Sequence, residues 1–238
     1  MIVRASTRAA LRQVRVVSFD LDDTLWPVAP VIMRAEQAMR RFLVERYPRV
    51  TDQFDLDAMR AVRVRAALEH PEMRHDFTFL RLAALRFHAA AAGYPEAMAE
   101  EAFAVFFAAR NQVELYEDVR PALARLGERF DLYTVSNGNA DLATVGIVDF
   151  FRDCITARDA GALKPDPRIY ARLIALAGVA PEQILHVGDD PEADVAGARD
   201  AGIQAAWINR AGSAWPREGA IPGVAVRNLE DLVRALEA

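Results

Sequence analysis

Asp20 and Asp22 stand two apart in the run Phe19-Asp20-Leu21-Asp22-Asp23-Thr24-Leu25. In extended backbone, side chains two apart point the same way, so these carboxylates project together. Carboxylates that close repel each other unless a cation or a proton relieves them. Both remedies suit phosphoryl transfer: Mg²⁺ neutralises one carboxylate, and the other holds a proton for a leaving group. Taken alone, the run also reads as an acidic turn after a strand.

Three later segments carry compatible chemistry. Ser136 ends an apolar run, with Asn137 and Gly138 after it. A hydroxyl and backbone N–H groups there can hold phosphate oxygens, although Ser-Asn-Gly is also an ordinary turn. Lys164 sits in Leu163-Lys164-Pro165-Asp166-Pro167. A stiff loop ahead of a helix can hold its ammonium against phosphate charge; alone, such a lysine also reads as a solvated surface charge. Gly188-Asp189-Asp190-Pro191-Glu192-Ala193-Asp194 follows another apolar run, placing Asp189 at a strand end and Asp194 in the first turn of a helix. Hard oxygen ligands so placed suit Mg²⁺. Acids capping a helix N-terminus are the other reading.

These side chains need elements to hold them. Residues 14–19 (VRVVSF), 130–135 (FDLYTV), 184–187 (ILHV) and 205–208 (AAWI) are short apolar runs of the kind buried parallel strands show, and 154–156 is a fifth. Helices lie between them. Asp118 opens one that Gly127 closes, Asp166-Pro167 opens another that Gly178 closes, residues 192–201 form a third, and Asn228 caps a last one. Alternation of strand and helix implies an α/β fold, a doubly wound parallel sheet with helices on both faces. Residues 27–117 hold no convincing strand. Phe77, Leu80, Ala84, Phe87 and Ala91 recur at helical spacing, and Pro48, Pro71, Gly93 and Pro95 separate four or five helices. The expected organisation is an α/β core from residues 1–26 and 118–238, with a helical bundle inserted at 27–117.

The four segments, in this order, resemble the four motifs of the haloacid dehalogenase-like (HAD) superfamily, and the helical insertion falls where that family's C1-type cap does. The resemblance implies a Rossmann-like core and the following roles. Asp20 is the nucleophile and Asp22 the general acid/base. Ser136, Asn137 and Lys164 bind phosphate. Asp20, Asp189 and Asp22, the last through its backbone carbonyl, hold Mg²⁺. Asp194 is a further ligand or stands behind the ligands. Haloacid dehalogenases carry a tyrosine two residues after the nucleophile, and transport ATPases a lysine; Asp22 points instead to a phosphatase or a phosphomutase. The runs FDLDDTLWPVAPVI, HDFTFLRLAALRFH, SNGNAD and ILHVGDDPEADVAGA are similar to those of bacterial flavin-pathway members. That similarity implies 5-amino-6-(5-phospho-D-ribitylamino)uracil or FMN as substrate. A broad metabolite phosphatase, a phosphomutase and a catalytically silent module remain as alternatives.

Bulk properties narrow the classes further. The chain has 238 residues, 53% of them hydrophobic, and a formal charge of −5. That is enough apolar material for a core, and nothing in it suggests a basic nucleic-acid face. The longest apolar run, residues 103–109, is too short to cross a bilayer. One cysteine, Cys154, forms neither an intrachain disulfide nor a metal cluster, so a reducing cytoplasm is the default. The sequence is silent on oligomeric state. Arg4, Arg8, Arg12 and Arg15 faintly suggest a targeting segment; the expectation is a frayed lead into the first strand. His186 reads as a core histidine. His75 and the arginines 34, 41, 74 and 110 read mostly as solvated. Trp26 is a candidate to stack on a substrate ring or to wall the junction with the insertion.

Overall fold

A computed structural model describes residues 2–3, 5–216 and 223–238, with backbone alone for those before residue 8. The chain divides into two compact units. One comprises Met1–Pro27, Glu114–Gly138 and Gly146–Ala238; the other comprises Val28–Val113 and Asn139–Val145.

The first unit is built on seven strands: β1 (Ile2–Val3), β2 (Val16–Phe19), β3 (Asp131–Ser136), β4 (Asp153–Thr156), β5 (Ile184–Gly188), β6 (Gln204–Ile208) and β7 (Val224–Val226). Their order is β1-β7-β6-β5-β2-β3-β4. Strands β2 to β7 are parallel, and β1 pairs antiparallel with β7. All residues of β2 and β5 are buried, as expected of strands covered on both faces. Helices pack on this sheet: Ile169, Tyr170 and Leu173 of helix Pro167–Ala177 join Val135, Ile155 and Ile184 in one core cluster. That helix begins where the Asp166 carboxylate accepts the Arg168 N–H and Pro167 occupies the first turn. It ends at Gly178, whose φ of +65° is left-handed.

From β2 the chain moves outward to β3 and β4, then returns to β5 on the other side of β2 and moves outward again. The carboxyl end of β2 is thus the topological switch point, where open α/β sheets bind ligands. Three details differ from expectation. Of the lead segment, Ile2–Val3 form β1, which finds a partner in β7, and Ala5–Leu11 form a helix, while Arg4 lies outside the described residues. The helix expected at 192–201 begins as a π-helical turn, Pro191–Ala196, in which the Val195 N–H reaches the Asp190 carbonyl. Residues 139–145 group with the helical unit.

The second unit contains helices Val28–Arg46, Pro48–Gln53, Leu56–Glu69, Phe77–Ala91 and Ala97–Arg110. Ala35, Met39 and Leu43, spaced four apart, bury one stripe of the first against Met98, Ala102 and Phe106 of the last. Asp55 and Asp76 cap their helices by accepting the N–H groups of Ala58 and Phe79. Residues 139–145 join this unit through two bonds: the Asp141 N–H donates to Asn111 Oδ1 at 2.8 Å, and Asn139 Nδ2 donates to Thr78 Oγ1 at 3.0 Å. No helix among the described residues is long and apolar enough to cross a membrane.

Candidate active site

Asp20 is the first residue beyond β2, and its N–H donates to the Val187 carbonyl of β5 at 2.9 Å. Its carboxylate faces Lys164, whose Nζ donates to Asp20 Oδ1 at 2.5 Å and to Asp194 Oδ1 at 2.6 Å. Lys164 is fixed from behind by Asn137. The Lys164 N–H donates to Asn137 Oδ1 at 2.7 Å, and Asn137 Nδ2 donates to the Lys164 carbonyl at 3.2 Å. Asn137 therefore braces the lysine loop with both ends of its amide. Next to it, the Ser136 hydroxyl accepts the Gly138 N–H at 3.0 Å.

Asp194 is held on every side. Besides Lys164, its Oδ1 meets His186 Nε2 at 3.2 Å, and its Oδ2 accepts the Asp190 N–H at 2.9 Å. His186 Nδ1 lies 2.9 Å from Ser18 Oγ. The neutral imidazole with its proton on Nε2 satisfies both contacts, since it donates to Asp194 and accepts from the hydroxyl. Burial holds His186 below its ordinary pKa, which agrees with that state. His186 reads from sequence as a core histidine; it is buried, but it also positions an acid of the site.

Asp189 follows β5. Its Oδ1 accepts the Thr24 hydroxyl at 3.2 Å, and its carbonyl accepts the Trp207 indole N–H at 2.9 Å. Asp23 takes a left-handed φ of +58°, a turn that aspartate tolerates better than most residues. Arg210 secures that turn, with Nε donating to the Thr24 carbonyl at 2.9 Å and both Nη groups bonded to Asp118. Nothing in the sequence singles out Arg210, because its partners come together only in the fold.

Three clustered carboxylates, two of them bonded to one ammonium, shape the electrostatics. Burial pushes Asp20 well above the usual carboxylate range, and Lys164 offsets this only in part. Burial, Asp194 and Asp23 push Asp189 up to about 7. Burial also works against the Asp194 carboxylate, but Lys164 and His186 outweigh it and hold Asp194 low. Lys164 is raised, because its two carboxylates outweigh its own burial. The site thus holds more acids than its one ammonium can neutralise, and two of them resist ionising.

That donor set suits a hard divalent cation. Asp20, Asp189 and Asp194 each offer a carboxylate oxygen, all within 4.8 Å of one another. Both Asp194 oxygens are already engaged, whereas Asp20 and Asp189 each keep an oxygen outside the bonds described above. Asp20 and Asp189 are therefore the better direct ligands, with Asp194 behind them. The Asp22 side chain stands outside this group. Its Oδ1 accepts the Trp26 indole N–H at 2.8 Å. Trp26 is 0% exposed, so it orients Asp22 and presents no face to a substrate. Arg110, expected among solvated arginines, is 2% exposed.

Residues 14–202 match the model of the haloacid dehalogenase-like hydrolases. The 5-amino-6-(5-phospho-D-ribitylamino)uracil phosphatase YigB of Escherichia coli is 32% identical over 205 residues, 83% of this chain and 84% of the relative. The glyceraldehyde 3-phosphate phosphatase of Methanopyrus kandleri is 29% identical, with shares of 83% and 84%. The crystal structure of a 2-haloacid dehalogenase from Pseudomonas syringae matches at a TM-score of 0.90 and 36% identity, covering 94% of this chain and 98% of that one. A HAD phosphatase from Thermococcus onnurineus matches at 0.66 and 25% identity, covering 93% and 97%.

Proposed function

The chain belongs to the haloacid dehalogenase-like hydrolase family, and from that premise we propose that it hydrolyses phosphomonoesters through an aspartyl phosphate on Asp20, with Mg²⁺ as cofactor. The observation that carries this reading is the buried Asp20–Lys164–Asp194 cluster at the switch point, with Asp22 held two residues on. Asp20 and Asp189 would hold Mg²⁺, which when bound offsets negative charge between carboxylate and phosphate.

In the first step the Asp20 oxygen not bonded to Lys164 attacks phosphorus. The bond from phosphorus to the ester oxygen breaks, and Asp22 gives its proton to the departing alcohol. In the second step a water molecule attacks phosphorus and gives a proton to Asp22. The bond to the Asp20 oxygen breaks, and inorganic phosphate leaves. Lys164, fixed by Asn137 and Asp194, holds its ammonium beside the transferring group, and Ser136 offers a hydroxyl to an equatorial oxygen.

For the substrate, the resemblance to the E. coli phosphatase supports a phosphorylated ribityl compound, either the pathway uracil derivative or FMN. A cytoplasmic location goes with that substrate class and with the lone cysteine. A second reading, dehalogenation, draws on the similarity to the P. syringae structure. Asp22 speaks against it, because a carboxylate there serves proton transfer to a leaving alkoxide, which a halide does not need.

The deciding experiment is a panel of phosphorylated metabolites with Mg²⁺ scored by phosphate release, run beside 2-chloropropionate scored by chloride release. Ribityl phosphates should lead in kcat/KM, and chloride should not appear. Glycolytic or nucleotide monophosphates at equal or higher kcat/KM would leave only a broad phosphatase. Isomer without free phosphate would indicate a mutase, and chloride release alone would end the phosphatase reading.

A further inference from the structure

The helical unit contains a buried charge cluster that the proposed chemistry does not use. Glu36, on helix Val28–Arg46, is 4% exposed. Its Oε2 accepts Arg60 Nη2 at 2.7 Å and Nε at 3.2 Å, and its Oε1 accepts Arg63 Nη1 at 3.3 Å. Arg81, on helix Phe77–Ala91, reaches Glu36 only at 3.9 Å, beyond hydrogen-bond range. Its guanidinium sits 3.5 Å from the centroid of Phe106, and its side chain is 11% exposed. Three guanidinium groups against one carboxylate leave two positive charges, of which exposed Asp57 offsets one through Arg60. The uncompensated charge falls on Arg81, for which no hydrogen bond is found among the described residues. Burial and Arg63 push it down to about 9, and Glu36 offsets this only in part.

A second, independent feature lines the same space. His88 lies seven residues after Arg81, on the same face of the helix. It is 1% exposed, and neither ring nitrogen makes a hydrogen bond; the Met59 carbonyl approaches the ring without meeting bonding geometry. Phe54 and Phe87 pack edge-on against the imidazole, so the ring cannot turn to water freely. Ala84, between Arg81 and His88, leaves a cavity of about 20 Å³ also walled by Met39 and Met59. That is room for one water-sized group, since roughly 10–15 Å³ suffices. Buried polar groups left without partners are uncommon enough to need an occupant.

We propose that this cavity is a binding site for one water-sized monovalent anion, a halide, held by Arg81 and His88 with Arg63 behind. The charge calls for one negative ion, the cavity has room for one water-sized group, and walls of Met39, Leu56, Met59 and Leu85 suit a weakly hydrated ion. The neutral imidazole supplies one N–H donor, and the guanidinium supplies the rest.

The test uses the full chain. Chloride replaces gluconate mole for mole at constant ionic strength while thermal melting is followed. A saturable rise of about 3 °C is expected, the size of effect a bound ion gives through linkage in a protein this large. Arg81→Met should remove the rise while the variant still melts cooperatively. Crystals of the wild-type protein soaked in bromide should show an anomalous peak beside Arg81 and His88, a result that does not depend on the variant folding. Flat melting in chloride, a rise that survives in R81M, or bromide found only at exposed arginines would each overturn the proposal.

Discussion

The side chain of Asp194 lies across the α-carbon of Gly188: a β-carbon built on Gly188 would fall 2.2 Å from Asp194 Cγ. The glycine is therefore required by the acid that holds Lys164. Gly188→Ala must displace Asp194, which is 1% exposed and has nowhere to go without breaking its bonds to Lys164 and His186. We expect a loss of roughly 2–4 kcal/mol, the scale of overpacking combined with a disturbed buried ion pair. Activity should fall at least ~10²-fold, because Lys164 shifts with its partner. Thermal melting and steady-state kinetics check both. A variant that melts within ~2 °C of wild type and keeps its rate would show that Asp194 does not fix the lysine.

The pH dependence of the metal-free protein follows from Asp189. Its carboxyl titrates at about 7 in the folded chain, raised from an ordinary 3.8. For a raised group the stabilising contribution is complete below the unfolded pKa and is lost as pH rises through the folded one. Metal-free protein should therefore melt at lower temperature as pH rises from about 4 to about 7 and level off above that, and Asp20, also raised, acts in the same direction. Mg²⁺ binds the ionised carboxylates, so the melting gain from added Mg²⁺ should grow over that window. Asp189→Asn should flatten most of both slopes. Melting in EDTA and in Mg²⁺ at several pH values decides; a Mg²⁺ effect unchanged in the variant would remove Asp189 from the ligand set.

Much of this site is legible in the sequence because buried parallel strands are continuous apolar runs, and each run here stops at a polar cluster. Asp20, Ser136 and Asp189 could be placed at strand ends from that contrast alone. What escaped depends on partners distant in sequence. Strand β7 is three residues long and β1 two, so neither stands out until they pair. The role of His186 needs Ser18 and Asp194 on either side of it, 168 and 8 residues away. Trp26 looks like a candidate for ring stacking because exposure cannot be read from residue type; its indole is spent on Asp22.

Asp20→Asn separates chemistry from folding. The amide keeps the shape of the carboxylate but is a poor nucleophile, so turnover should fall by more than ~10³-fold. Stability should not fall. Burial disfavours the charged Asp20, and Lys164 keeps Asp194 as a partner. In EDTA the variant should melt at or above the wild-type temperature. A folded variant with more than about a tenth of wild-type activity would mean that another group attacks phosphorus.

Asp22→Asn tests proton transfer while keeping the shape of the side chain. The amide placed there can accept the Trp26 N–H through its own Oδ1, so the 2.8 Å bond that orients the side chain is retained. What is lost is the exchangeable proton. A sugar or ribityl alkoxide is a strongly basic leaving group and needs that proton in the first step, whereas p-nitrophenolate leaves with little help. The variant should lose about 10²–10⁴-fold on an alkyl phosphate, the usual scale for general acid catalysis, and at least ~10-fold less on p-nitrophenyl phosphate. Hydrolysis of the aspartyl phosphate also needs Asp22, now as a base, so on p-nitrophenyl phosphate the second step becomes limiting. Rapid mixing should then show a burst of nitrophenolate, about one per site, ahead of a slow steady rate. Equal losses on both substrates without a burst would mean that Asp22 orders the site instead of moving a proton.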